Sequence, residues 1–99
     1  MKIHIQAIDF TAKKELMDFI TETVEKLSHL SKNILGAKVY LKLEKADTGA
    51  NKVCEILLDV PGNDLFVKKQ CETFEEATKQ AVEVLQKQIG KMKTKFEHY

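Results

Sequence analysis

The chain contains no arginine: all 16 of its basic residues are lysines, and with 15 acidic residues they leave a formal net charge of +1. The absence of arginine excludes the bidentate guanidinium fork with which many proteins clamp a phosphate or a carboxylate. Phosphate binding is still open to the chain, because a lysine ammonium binds phosphate as a point charge. Since the net charge is close to zero, the distribution of the lysines is more informative than their number.

Cysteines and long apolar runs are also scarce. Cys54 and Cys71 stand 17 positions apart without a C-x-x-C pair, which argues against a zinc or redox motif. We expect both to be small buried residues of strands. The longest apolar runs, such as residues 56–58, fall far short of the about 20 residues of a membrane-spanning helix. Residues 1–6 also lack the apolar core of a secretory signal, so the sequence predicts a cytoplasmic protein without a membrane role.

Patterns typical of catalysis and of metal binding are missing too. His4, His29 and His98 are scattered without metal-ligand spacing. No nucleophile elbow, phosphate-binding loop or zinc-protease motif occurs, and neither does the glycine-aromatic signature of RNA-recognition domains. The sequence therefore predicts a protein that is not an enzyme, with no cofactor, metal ion or small-molecule substrate.

The first third of the chain reads as a strand followed by a helix. Residues 2–7 alternate between polar and apolar side chains, as in a half-buried strand. Thr11 is then predicted to be the N-cap of a helix over about 11–31. Its apolar residues recur at spacings of three and four: Leu16, Phe19, Ile20, Val24, Leu27 and Leu30.

The remainder reads as three strands followed by a second helix. The strands fall at about 37–44, 54–60 and 65–71, with turns at 47–51 and 61–64. Thr73 and Glu76 form a capping box that opens a helix running to about residue 96. The apolar stripe of this helix comprises Ala77, Ala81, Leu85, Ile89, Met92 and Phe96.

The order of elements predicts one α+β domain over residues 1–99, with the topology β-α-β-β-β-α. A helix joins the first two strands, so they should be parallel with a right-handed crossover, whereas the other connections are hairpins. Both helices are amphipathic and should pack on one face of a four-stranded mixed sheet. This is a sandwich of the kind found in double-stranded-RNA-binding domains.

The second helix carries a cluster of lysines. At about 100° per residue, Lys87, Lys91 and Lys95 fall within a narrow arc about 110° from the centre of the apolar stripe. Like charges at these spacings repel one another, and a polyanion would relieve the repulsion. The alternative is that acids at the start of the helix and lysines at its end merely match the helix macrodipole. The lysines beyond Glu76 on this helix are Lys79, Lys87, Lys91, Lys93 and Lys95.

Lysines also occur beside aromatic residues on the predicted open face of the sheet. Lys42 and Lys68 share this face with Tyr40 and Phe66, and Lys45 stands near a strand end. Such a surface can stack bases or bind phosphates. Three acids on the same face weaken this interpretation: Glu44, Glu55 and Asp59.

Four segments carry a family resemblance. Residues 41–45 are similar to a second-strand pattern L-K-V-E-K, and residues 54–65 end in V-P-G-N-D-L, a hairpin of the same family. Lys26-Leu27 matches a K-L pair late in the first helix, and residues 85–91 are similar to the second-helix pattern L-x-R-Q-L-x-K. In this order and spacing the chain resembles the ribosome hibernation-promoting factors, also called ribosome-associated inhibitors, over nearly its whole length.

The resemblance implies binding to ribosomal RNA in the mRNA and tRNA channel of the small ribosomal subunit, and a block of translation in slow growth or stationary phase. It also implies the short type of factor, for which a separate partner would pair ribosomes into dimers. Val84 stands where the family has a lysine, and Lys87 where it has an arginine. The candidate RNA-binding residues are Lys26, Lys42, Lys45, Lys68, Lys79, Lys87, Lys91, Lys93 and Lys95.

A second hypothesis is a protein-interaction module that uses the apolar hairpin and the open face of the sheet and has no RNA role. This hypothesis predicts binding that is insensitive to salt and to nuclease, whereas lysine–phosphate contacts weaken steeply as salt rises.

Overall fold

Four strands and two helices form the chain in the order β-α-β-β-β-α. The structure is a computed structural model that describes the backbone of residues 1–97 and the side chains of residues 1–91. The elements are β1 (Lys2–Ala7), α1 (Lys14–Glu25), a 3₁₀ turn (Lys26–His29), β2 (Gly36–Leu43), β3 (Lys52–Asp59), β4 (Leu65–Cys71) and α2 (Phe74–Glu97).

The strands form one mixed sheet in the order β1-β2-β3-β4. β1 and β2 are parallel because α1 returns the chain between them, whereas β2–β3 and β3–β4 are antiparallel hairpins. Gly49 and Gly62 take positive φ values of 80° and 87° in the two hairpin turns, a conformation that residues with a Cβ rarely adopt. The predicted strand order, directions and turns are confirmed.

The core lies on one side of the sheet. Alternate residues of the strands point toward α1 and α2 and are closed off from solvent, while the opposite face stays open. Leu43, at the end of β2, continues the inward alternation of Ala37, Val39 and Leu41 but is 53% exposed, because it lies in the last row of the sheet beside the β2–β3 loop. The fully buried apolar side chains of this core include Ile20, Leu27, Leu41, Ile56, Leu58 and Leu85.

Both cysteines lie in this core as free thiols, as predicted. The Thr78 hydroxyl donates a hydrogen bond to the Cys54 sulfur at 3.6 Å. Burial raises the pKa of Cys54 to about 11, so the thiol stays protonated at neutral pH. Cys54 therefore behaves as a small apolar residue rather than as a nucleophile.

The first helix is shorter than the sequence suggests. It begins at Lys14 rather than after Thr11, so the predicted N-cap is wrong. The preceding loop instead brings Phe10 against Phe74 at the start of α2, where the two rings stack with centroids 5.2 Å apart. At its other end the helix tightens into the 3₁₀ turn Lys26–His29. Tertiary packing of Phe10 thus sets the helix start, and local propensity does not.

The second helix begins as predicted. The backbone N–H of Glu76 donates to the Thr73 hydroxyl at 3.1 Å, which is the hydrogen bond expected of the capping box. The stripe residues Ala77, Ala81, Leu85 and Ile89 are buried against the sheet. The side chains of the two remaining stripe residues lie outside the described residues: Met92 and Phe96.

Replacing Gly90 by alanine is expected to stabilise the fold by about 1 kcal/mol, because alanine is the better helix former. A Cβ at this exposed α2 position would meet no atom within 4 Å. A gain of this size corresponds to a rise of about 4–8 °C in the melting temperature. The matched control is Gly62→Ala: the space around Gly62 is equally open, but its φ is +87°. This variant should lose stability in the same melting experiment, and a loss in Gly90→Ala would contradict the prediction.

Candidate nucleic-acid interface

Three of the candidate lysines gather at one end of the fold. α2 packs antiparallel to β4, so its second half lies at the end of the sheet where β1 and β2 begin. The 3₁₀ turn lies at the same end and contacts α2. This arrangement brings Lys26 to the same end as Lys87 and Lys91, although more than 60 residues separate them in the sequence. We refer to Lys26, Lys87 and Lys91 as the basic end.

The α2 lysines divide between two sides of the helix. At about 100° per residue, Lys87 and Lys91 lie about 160° and 120° from Leu85 in one sense of rotation, and Lys79 lies about 120° from it in the other. The Lys79 ammonium is 5.7 Å from the centroid of the Phe19 ring on α1. Lys79 therefore faces α1, whereas Lys87 and Lys91 lie about 80° and 120° further round the helix and stand one turn apart, about 6 Å along the axis.

The charges of these α2 lysines are not compensated. Over the described side chains, no carboxylate lies within 4.0 Å of the ammonium groups of Lys79, Lys87 or Lys91. Glu83 is one turn from both Lys79 and Lys87 and pairs with neither. Lys87 and Lys91 are exposed, and like charges one turn apart destabilise a helix slightly. An exposed, unpaired pair of this kind can bind a polyanion such as an RNA backbone.

Lys42 and Lys68 are in a different situation, because both are held in ion pairs on the open face. The Lys42 ammonium is 2.7 Å from Glu55 and 3.5 Å from Glu44, and the Lys68 ammonium is 3.2 Å from Glu44. The hydrogen bond to Glu55 raises the pKa of Lys42, and the hydrogen bond from Lys68 lowers the pKa of Glu44. Both shifts favour the charged forms of Lys42 and Glu44. The two lysines are matched by two carboxylates, so the network has no net charge to offer a phosphate.

Replacing Glu44 by glutamine should free Lys68 from its carboxylate partner, whereas Lys42 keeps its ion pair with Glu55. Exposed ion pairs are weak, so affinity for the ribosome at low salt should rise by up to about fivefold. The matched control is Glu22→Gln, which removes the same charge from an exposed position on α1. An equal rise in both variants, measured by ribosome sedimentation, would mean that only the net charge matters.

The remaining candidates are spread over the fold. Lys45 lies in the β2–β3 loop, at the opposite end of the sheet from Lys26. Lys93 and Lys95 belong to the helical backbone of α2, but their side chains lie outside the described residues.

Sequence reasoning missed basic residues that the fold brings close to these sites. Lys32 is exposed in the segment between the 3₁₀ turn and β2, at the basic end. It lies in a turn, so no periodic pattern singled it out. Lys2 and Lys38 are exposed on the open face. The alternation of its strand predicts this position for Lys38, but neither residue is among the candidate RNA-binding residues.

No group of three or more histidine, cysteine, aspartate or glutamate residues within the described part of the chain is placed to hold a metal ion. The described residues also include no helix that is both long and apolar enough to cross a lipid bilayer.

The family model described as "Sigma 54 modulation protein / S30EA ribosomal protein" matches residues 3–97. The chain belongs to this family. The match spans nearly all of the observed strands and helices, and it confirms the resemblance to the hibernation-promoting factors. As a member of the S30EA family, the chain is a ribosome-associated protein of the hibernation-factor type. Comparison with curated protein sequences found no significant match.

Two solved structures share the fold of this S30EA-family chain. The N-terminal domain of Protein Y from Thermus thermophilus superimposes with a TM-score of 0.78 at 24% identity, covering 93% of this chain and 99% of that one. A ribosomal subunit interface protein from Coxiella burnetii gives a TM-score of 0.83 at 13% identity, covering 95% of this chain and 99% of that one. Both confirm the β-α-β-β-β-α sandwich.

Proposed function

We propose that the chain is a hibernation factor that binds ribosomal RNA in the mRNA and tRNA channel of the small ribosomal subunit. By occupying the channel it blocks translation in the cytoplasm during slow growth or stationary phase. The role is steric, so the protein needs no catalytic group, cofactor or small-molecule substrate. A separate partner would supply any contact that pairs ribosomes into dimers.

The observation that carries this proposal is the basic end on a chain of the S30EA family. Lys87 and Lys91 present ammonium groups that pair with no carboxylate of the described side chains, and Lys26 lies at the same end of the fold. Lysines of this kind neutralise phosphates and release the counterions that the RNA had condensed. Release of counterions favours binding without requiring any particular base sequence.

The sandwich suits a steric role because it is rigid. The sheet is covered by both helices on one face, and α2 is anchored to the sheet by Leu85 and Ile89. The basic end is therefore held in a fixed position relative to the sheet. Binding of a rigid body in the channel would exclude mRNA and tRNA by volume alone.

The proposal is tested by sedimentation of the purified protein with small ribosomal subunits through a sucrose cushion. At low salt the protein should pellet with the subunits. About five neutralised phosphates would make log K fall with log salt at a slope of about −3.5 to −4.5. The contrasting result is a pellet fraction that does not change with salt or nuclease, which would favour the protein-interaction module.

Competition locates the binding site. Subunits loaded beforehand with mRNA and tRNA should bind less of the protein, because both occupy the channel. If the loaded subunits bind the protein as well as empty ones do, the site lies elsewhere on the ribosome and the steric mechanism is wrong.

A further inference from the structure

The open face of the sheet carries a second cluster, away from the lysines of α2. His4, Lys38, Leu57 and Phe66 stand in register across the four strands, one residue from each. Neighbouring strands lie about 4.8 Å apart, so the row is about 14 Å long. We refer to these four residues as the open-face row.

One half of the open-face row is apolar. Phe66 is 54% exposed on the edge strand β4, an unusual exposure for a phenylalanine, and it pairs with Leu57 on β3. Tyr40 lies in the next row on β2, one step toward the middle of the sheet. The ring of Phe66 therefore offers a flat surface to solvent, with a second apolar side chain beside it.

The other half of the row is polar and basic. His4 and Lys38 are exposed, and among the described residues no carboxylate lies within 4.0 Å of either side chain. This separates Lys38 from Lys42 and Lys68 in the following rows, whose charges are neutralised by Glu44 and Glu55. Lys38 thus keeps its positive charge free in the part of the face where the aromatic ring is exposed.

A shallow groove runs along the polar half of the row as far as Leu57. It is lined by Lys2, His4, Lys38 and Leu57, and two acids, Asp59 and Asp64, lie at its β3 side. A second depression continues along β1 and β2 past His4, Lys38 and Tyr40. The acids would repel phosphates from the β3 side, so a polyanion would follow β1 and β2 while its bases point toward Leu57 and Phe66.

We propose that the open-face row is a binding site for single-stranded RNA. One base would stack on Phe66 beside Leu57, and the adjoining phosphate would bind Lys38, with the His4 ring next to it. Exposed aromatic rings on a four-stranded sheet, flanked by cations, are a recurrent platform for unpaired bases. Free cationic charge two strands, about 10 Å, from an exposed ring favours RNA over a neutral peptide.

The site has a consequence that rests on the proposed function. A protein that contacts RNA through α2 on one side and through the sheet on the other fits a cleft whose walls are both RNA, rather than a flat surface. The site itself does not depend on the basic end, so it can be tested with a short RNA in the absence of ribosomes.

The chain contains no tryptophan, so Phe66→Trp introduces a single indole reporter into the row. We expect titration with an unstructured oligouridine of about ten nucleotides to quench this fluorescence in a saturable way, since site sizes on such platforms are about 4–16 nucleotides. Leu43→Trp is the matched control, because Leu43 is 53% exposed and lies outside the row. Its indole should not be quenched.

Substitutions of Phe66 and Lys38 distinguish the contribution of base stacking to RNA binding from that of charge. Measured by anisotropy of a labelled oligouridine, Phe66→Ala should weaken binding by about tenfold, which lies within the usual loss of one stacked base. Lys38→Gln should weaken binding and reduce the log–log salt slope by about 0.7, the contribution of one phosphate on a single strand. Lys14→Gln, at an exposed position on α1, should change neither the affinity nor the salt slope by a comparable amount.

Three results would overturn the site. One is an isolated protein that does not bind the oligouridine at all. Another is equal quenching of the Phe66→Trp and Leu43→Trp reporters. The third is binding that survives Phe66→Ala and Lys38→Gln but is lost in Lys87→Glu, Lys91→Glu, which would place the RNA on α2 and leave the proposed function standing.

Discussion

Replacing Lys87 and Lys91 together by glutamate is expected to weaken binding to the small ribosomal subunit by at least about 100-fold. Two charged contacts to phosphates are lost, each worth about 1.5–3 kcal/mol, and each new carboxylate repels the RNA in addition. The fold should be unaffected, because both side chains are exposed and no carboxylate within the described residues pairs with either. Sedimentation with subunits at low salt measures the loss, and thermal melting confirms the fold.

A control of equal charge is available at the other end of the molecule. Lys13→Glu, Lys14→Glu makes the same change of net charge at the start of α1, at exposed positions away from the basic end. Acidic residues also suit a helix N-terminus, so this variant should remain folded. If both double variants lose the same affinity, only the net charge matters. If Lys87→Glu, Lys91→Glu binds as tightly as the wild type, the basic end is not the ribosomal contact.

Truncation of Ile56 to alanine should produce the largest loss of stability among the substitutions considered. Ile56 lies in the middle of β3, is fully buried, and faces α1 and α2. Such a truncation costs about 2–5 kcal/mol through lost burial and the cavity left behind. For a domain of this size, the melting temperature should fall by about 8 °C or more. Urea unfolding followed by circular dichroism gives the free energy directly.

The neighbouring residue provides the control. Leu57 follows Ile56 in the same strand but points to the open face, where it is only partly buried. Leu57→Ala should cost less than Ile56→Ala, by about 1–2 kcal/mol or more, because less apolar surface returns to water and no enclosed cavity forms. Equal losses in the two variants would mean that the open face is covered and that the sheet is not one-sided.

The sheet and its directions follow from short-range signals that the sequence carries in full. Alternation of period two marks the strands, and Gly49 and Gly62 take the positive φ values that the two hairpin turns require. Thr73 caps α2 through a contact only three residues away. Signals of this range do not depend on the rest of the fold, and for that reason these elements could be predicted.

The start of α1 could not be predicted, because it is decided at long range. Thr11 is a suitable N-cap locally, yet Phe10 gains more by stacking on Phe74, more than 60 positions away, and the helix begins after this contact. The exposure of Leu43 has the same origin. Its place in the alternating pattern points inward, but it lies in the last row of the sheet, beside a loop.

In the candidate interface, too, the sequence identifies what depends on one element, and contacts between elements decide the rest. Composition and helical spacing alone identified Lys87 and Lys91, since both lie on one element whose geometry is regular. Whether a lysine is free or neutralised depends on neighbours from other strands. Glu44 and Glu55 pair with Lys42 and Lys68 through the strand register, which no pattern within one strand contains.

The sequence by itself thus determined the order of elements, the one-sided sheet, the family resemblance and the lysines of α2, because each depends on local periodicity or on motifs in linear order. Only the tertiary structure decided which lysines share an end, which are held by carboxylates, and that Phe66 and Lys38, both expected on the open face, lie in the same row. These properties depend on distances between segments that are remote in the chain. The strand register and the packing of the helices on the sheet set those distances.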